Sequence, residues 1–190
     1  KRQALMGITI KQPNINTSFQ TFVVNKKDEV EYGLSALKDV GKKFIEDVCA
    51  ERANGEFVSL MDFASRVDLR KGGIRALNSL AKSGAFDDLC SRDEAVSSIK
   101  NYLEASEQKF KSKESAVMDM FGSEQDIKVS GFDLRTFNDS EKLKMELESY
   151  GFYFSKHPIA LMRKTLSSKL ATINKPVSYT HLTLPTTDRV

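Results

Sequence analysis

Two helix–bend–helix patterns follow one another in this chain, at 34–53 and 59–83. Two such units in tandem point to a paired arrangement and to a mainly helical fold. The first unit reads LSALKDVGKKFIEDV (34–48), a short apolar helical turn, a tight Val40-Gly41 bend, and a second helix with Phe44, Ile45 and Val48 on its apolar side. A helix that starts at such a bend leaves its first backbone N–H groups without partners and carries the positive end of the helix dipole. Gly41 lets a ligand approach the backbone closely, and Lys42 and Lys43 add charge beside it. That is the local chemistry of a phosphate cradle, and on a short hairpin between helices it suggests a helix-hairpin-helix touching a nucleic-acid backbone. An ordinary helix cap followed by a new helix with solvated lysines accounts for the same residues, and both readings stand on this stretch alone.

The second bend is more basic. Arg66, Arg70, Lys71 and Arg75 against Asp68 give a net +3 between residues 66 and 75, and Gly72-Gly73 falls where the next helix begins. Two phosphate-facing hairpins on one surface weigh more than one.

The bulk numbers permit this without demanding it. Over 190 residues the net charge is only +3, so contact with nucleic acid would come from a local patch. Apolar content of 40% and charged content of 29% fit a globular protein of cytoplasmic type. Cys49 and Cys90 lack a paired spacing and only two histidines accompany them, so no zinc site or disulfide scaffold is indicated. Both cysteines are expected on helical apolar faces as buried free thiols. No apolar run is long enough to span a bilayer and no signal sequence opens the chain, so no membrane partner is expected. The first residue is Lys1, and the chain is expected to be a piece of something longer.

Around the paired units, residues 1–19 are expected to be irregular, with Pro13, Asn14 and Asn16 as turn formers. TFVV (21–24) and EVEYG (29–33) flank Asn25–Asp28 and predict a β-hairpin with a four-residue loop. Ser59 with Asp62 resembles a capping box, Gly84 is a helix stop, and Ser91 with Glu94 opens a helix to about residue 112. Its inner stripe is Val96, Ile99, Leu103, Ser106 and Phe110. An isolated apolar cluster, AVMDMFG (116–122), follows, then a linker at 123–136. Asn138 with Glu141 opens a helix to Tyr150, and a last helix is expected from Pro158. The tail from Val177, VSYTHLTLPTTDRV, has four threonines and no lysine in a lysine-rich chain. It reads as non-native sequence, so neither it nor His181 receives a role.

EYGLSALKDVG (31–41), FVSLMDFASRVDLRK (57–71), IRALNSLAKSGAFDDL (74–89) and GFYFSKHPI (151–159) together resemble, in order and spacing, the bacterial DNA polymerase III alpha subunit, a replicative C-family polymerase. The resemblance covers almost everything from Gly7 to Ile159. It implies the end of a fingers domain at 1–33, a paired helix-hairpin-helix module at 34–90, and a helix with an internal clamp-binding peptide at 91–122. A linker and helices at 123–176 would then lead toward an oligonucleotide-binding domain, before the tail at 177–190.

The implied roles fit the chemistry. The hairpins would grip the backbone of double-stranded primer-template DNA without reading sequence, through Lys38, Val40, Gly41, Lys42 and Lys43 in the first and Arg70, Lys71, Gly72, Gly73 and Arg75 in the second. The cluster VMDMFG (117–122) lies where the family often carries a sliding-clamp-binding peptide, giving Val117, Asp119, Met120 and Phe121 as candidate contacts. Met120 and Phe121 would enter a pocket on the clamp. Other replicase subunits are implied partners through the parent protein. Two departures stand out: Asp39 replaces a glycine common in the family, and Val117 replaces the usual glutamine of the clamp peptide.

No catalytic site is expected on this piece. Polymerase chemistry needs carboxylates holding paired magnesium ions, which the resemblance assigns to an upstream palm domain with an Asp-x-Asp motif; no Asp-x-Asp occurs here. Nor is there a P-loop, since seven residues separate Gly33 from Gly41 and Lys43 stands where Ser or Thr is needed. No metal or other cofactor is expected on these residues, and His157 before Pro158 is read as packing or hydrogen bonding rather than catalytic. Two other classes remain open: a stand-alone helix-hairpin-helix module of a repair or recombination protein, and a helical protein-interaction adaptor using VMDMFG as its partner peptide.

Overall fold

The computed structural model describes residues 9–25, 27–115 and 131–159, without the side chains of 112–115. The chain divides into two units, 1–157 and 158–190, and of the second only Pro158 and Ile159 are described, at a helical start. The clamp-peptide residues Val117, Asp119, Met120 and Phe121, and the tail with His181, lie outside the described residues.

The fold is mainly helical with a small sheet, as the sequence predicts. Strands β2 (Val23–Val24) and β3 (Val30–Glu31) form the expected antiparallel hairpin, with Val24 opposite Val30 and Val23 opposite Glu31. The Asn25 side-chain carbonyl organises the turn by accepting from the backbone N–H groups of Lys27 and Glu29, and Asp28 takes a left-handed φ of 57°. The N-terminal stretch is not wholly irregular: β1 (Ile10–Lys11) adds to the far side of β3 in parallel. A two-residue strand pairing with one some twenty residues on leaves no local periodicity to read.

Within the described residues up to 157 the α-helices are α1 (Lys42–Arg52), α2 (Leu60–Arg66), α3 (Gly73–Ser83), α4 (Arg92–Ser115) and α5 (Asp139–Tyr150). The predicted caps form. Ser59 Oγ accepts from the Asp62 N–H, Ser91 Oγ accepts from the Glu94 N–H, and Asn138 with Glu141 makes a reciprocal box. Gly84 ends α3 at φ 86°, a left-handed conformation that favours glycine. The element entering the first bend is shorter than a helix proper, a 3-10 turn over Leu34–Ala36. Leu34 and Leu37 anchor it in the core, which three residues can do without an α-helical ladder.

Helix α3 is the centre of the fold, packing against both α4 and α5, while α2 packs on α4. The spacing predicts Ile74, Leu77, Leu80 and Ala81 on its apolar side; Leu77, Leu80 and Ala81 are buried, together with Ala76, but Ile74 in the first turn is exposed. Beneath the paired units Phe57, Phe63 and Phe86 pack in series, with ring centroids 5.1 and 5.2 Å apart. The chain before β2 is stitched to this core. Asn16 exchanges two hydrogen bonds of 2.9 Å with the backbone of Phe57, and the Arg52 guanidinium donates to the carbonyls of Ile15 and Ser18.

GFYFSKH (151–157) closes the other side. The buried Glu146 carboxylate accepts from the backbone N–H groups of Phe154 and Ser155 at 3.0 and 2.9 Å. The Tyr150 hydroxyl donates to the Ser83 carbonyl at 2.7 Å, and its ring stacks on Phe154 and meets Tyr32 edge-on. His157 is exposed, with its ring edge-on against Tyr153. Both cysteines are free and half-buried. Cys49 lies on α1 as expected, but Cys90 sits in the turn ahead of α4, because the chain reverses there to cap that helix with Ser91. Burial pushes the Cys90 thiol up to about 11, so it stays protonated near neutrality.

Candidate nucleic-acid interface

The first bend is built by backbone conformation rather than by side-chain caps. Asp39 takes a left-handed φ of 62°, Val40 turns inward into the core, and Gly41 is the N-cap of α1 with no side-chain hydrogen bond to the helix start. A side chain at Gly41 would meet nothing within 4 Å, so the apex faces open space. Lys38, Asp39, Lys42 and Lys43 are all exposed around it. Val40 therefore holds the bend from below, and the lysines stay exposed to solvent. From behind, the Lys38 N–H donates to the Ser149 carbonyl at 2.9 Å, tying the bend to the end of α5.

The second bend runs through a 3-10 turn, Leu69–Lys71, into α3. Leu69 is fully buried and its N–H meets Ser106 Oγ on α4. Gly72 and Gly73 differ in what they require. Gly73 adopts φ 69°, a glycine conformation, whereas Gly72 is helical but has no room, since an added Cβ would lie 2.8 Å from the Phe44 ring. Phe44 belongs to the first turn of α1, so that contact sets the two bends side by side and brings the amino-terminal ends of α1 and α3 together. Lys71 adds a second link, with its ammonium 2.6 Å from the Asp47 carboxylate on α1. The paired arrangement predicted from the tandem pattern is thus formed by direct contact.

The basic residues of the second bend are more committed than their sequence implies. Arg66 donates to the carbonyls of Glu51 in the last turn of α1 and of Gly55 and Glu56 beyond it, and to Asp62. It closes a helix terminus rather than offering charge to a ligand. The Arg70 guanidinium donates to both Asp68 carboxylate oxygens, at 2.9 and 2.8 Å, its backbone N–H donates to the same carboxylate, and the guanidinium lies over the Phe110 ring. Those bonds hold the Asp68 carboxyl below its usual range. Arg75, in the first turn of α3, is exposed, and so is Ile74 beside it. Sequence reasoning missed Asp47, whose partner lies on another element and leaves no local spacing to find.

Among the described residues no group of three or more His, Cys, Asp and Glu side chains is placed to hold a metal ion, and no helix is long and apolar enough to cross a membrane.

A 3-10 turn and a helix meeting at one tight bend, with two helices meeting at a second bend in contact with it, fit a helix-hairpin-helix protein, and the helix-hairpin-helix motif family matches residues 7–95. The chain is 35% identical over 173 residues to the DNA polymerase III subunit alpha of Haemophilus influenzae and 36% identical over 173 residues to that of Pasteurella multocida. The Campylobacter jejuni protein of the same name is 34% identical over 164 residues. These matches cover 88%, 88% and 81% of this chain but only 15%, 15% and 14% of the relatives. The chain belongs to the DNA polymerase III alpha-subunit family, and spans about 15% of the length of those relatives.

Proposed function

We propose that this chain is the part of a replicative DNA polymerase that holds the product duplex, gripping the primer-template backbone without sequence specificity. The observation that carries the reading is the contact of Gly72 with Phe44, which sets two hairpins and two helix starts on one surface with Lys42, Lys43 and Arg75 exposed around them. Backbone amides and lysines of this kind suit phosphates, which are alike at every base pair. The activity belongs to the parent enzyme in this reading, with deoxynucleotide addition and its magnesium ions on carboxylates of another domain in the cytoplasm. This piece by itself would extend no primer.

Replacing Lys42 and Lys43 with Ala tests the grip. Duplex binding should weaken about equally for all sequences, and each lost phosphate contact should lower the log–log salt slope by about one unit. Unchanged binding, or binding that becomes sequence-dependent, would sink the reading.

A second part of the proposal is contact with a sliding clamp through Val117, Asp119, Met120 and Phe121, supported by the apolar cluster standing between a helix and a polar stretch. A peptide spanning Ser115–Glu124 should bind a bacterial clamp weakly, Val117→Gln should strengthen it, and Phe121→Ala should cost roughly thirtyfold. A peptide silent in every form removes the clamp from the proposal.

A further inference from the structure

We infer that Asp47 and Lys71 form an attenuator of duplex grip, an ion pair between the two hairpins that holds one phosphate-seeking cation in reserve. The inference rests on the backbone-gripping reading above. Lys71 sits in the second bend directly before Gly72, yet its ammonium is 2.6 Å from a carboxylate of the first helix-hairpin unit. Both side chains are substantially exposed, at 57% and 44% of full accessibility. The pair is therefore not a buried structural bridge, and exposed pairs of this kind contribute little to folding. Its consequence falls on the surface itself. A phosphate arriving at the second bend must compete with Asp47 for Lys71, and Asp47 adds a negative charge to the approach.

Two other cations of this bend are muted as well, while Arg75 stays exposed. Arg70 is held by Asp68 and Arg66 by backbone carbonyls and Asp62, so much of the positive charge of this bend is satisfied within the fold. Lys71 differs because its partner is on the other hairpin and both are open to solvent, so exchange from carboxylate to phosphate requires no rearrangement of the core. A grip built this way binds through the first hairpin and engages the second only partly. That suits a duplex that must advance past the protein after each addition, because a full set of fixed phosphate contacts would resist movement.

The test is a titration of the full 190-residue chain with a short fluorescent duplex, read by anisotropy between about 50 and 200 mM salt. Asp47→Asn should tighten binding about three- to fivefold, the range an exposed charge pair can supply, and steepen the salt slope by about one unit. In a Lys71→Ala background the same substitution should leave the slope unchanged. Asp47→Ala serves as a second carboxylate-free variant, with circular dichroism to check that each variant is folded. If wild type binds in a salt-dependent way but Asp47→Asn neither tightens nor steepens it, the attenuator is wrong while the gripping reading survives. If the gain persists without Lys71, Asp47 acts by simple repulsion and the pair is not the device. If no variant binds duplex, the gripping reading fails and takes this inference with it.

Discussion

The two hairpins carry charge in opposite ways. By formal count the second is richer, with four cations against one carboxylate, while the first has Lys38, Lys42 and Lys43 against Asp39. In the fold the order reverses. The second spends Arg66 on backbone carbonyls, Arg70 on Asp68 and Lys71 on Asp47, whereas the first keeps its lysines exposed around an apex with open space above Gly41. Local charge in a sequence thus overstates the charge a surface offers, since arginines also close helix ends and brace turns. The second hairpin acts mainly as a brace for the first.

The largest test of that contrast compares glycines. Gly72 has a helical φ of −82°, so its backbone accepts any residue, but a Cβ there would lie 2.8 Å from the Phe44 ring. Gly72→Ala should therefore cost about 1–3 kcal/mol by overpacking, read as a loss of denaturant midpoint. Gly41→Ala meets open space and should cost only a few tenths of a kcal/mol as a poorer N-cap. If both glycines tolerate alanine equally, the two bends are not braced through Phe44.

Arg66 comes next. Arg66→Ala would leave the carbonyls of Glu51, Gly55 and Glu56 to water and uncover the Phe57 ring over which the guanidinium lies, 4.6 Å from its centroid. A loss of about 1–2 kcal/mol is expected, since this end is half exposed and solvent recovers part of the bonding. Arg66→Lys should not rescue it, because an ammonium cannot span three carbonyls with a planar fork. Duplex affinity of the folded protein should be far less affected than by the Lys42 and Lys43 substitutions. Equal effects on binding would return Arg66 to the interface.

Asp68 gives a smaller effect with a pH signature. Hydrogen bonds from Arg70 lower its folded-state pKa, so its contribution is fully present above the ordinary carboxyl pKa of about 3.9 and is lost as pH falls through the lower folded value. Asp68→Asn should cost about 1 kcal/mol near neutrality, with the gap from wild type closing in acid. A gap that stays constant to low pH would mean that shape, not charge, holds Arg70.

Much of this fold was legible because it is local. The caps at Ser59, Ser91 and Asn138, the stop at Gly84 and the inward face of α3 follow from short spacings that physics constrains within one turn. What escaped was non-local. β1 pairs with the far strand of the hairpin, Lys71 finds Asp47 on another helix, and Arg66 reaches past the end of α1. The need for glycine at position 72 was equally hidden, as it comes from a ring 28 positions earlier rather than from backbone conformation. The candidate site was therefore readable as a place, while the availability of its charges was not.

Asp39 offers the finest test of the first hairpin. It holds a left-handed φ of 62°, a conformation that costs a non-glycine residue about 1 kcal/mol, somewhat less for Asp. It also puts an exposed carboxylate two residues ahead of the N-cap of α1, where it offsets the positive helix end that a phosphate would use. Asp39→Gly removes both features at once. Stability should rise by a few tenths of a kcal/mol, because glycine relieves the strain but adds entropy to the unfolded chain. Duplex affinity should rise about two- to threefold at low salt, and the gain should shrink as salt is raised, because the removed charge is exposed and screened. Asp39→Asn separates the two causes, keeping a residue that tolerates this φ while deleting the charge. Asn matching Gly in affinity but not in stability would place the binding effect on charge. If neither variant changes binding, the apex of the first hairpin is not where the duplex is held, and the contrast between the two hairpins loses its functional meaning.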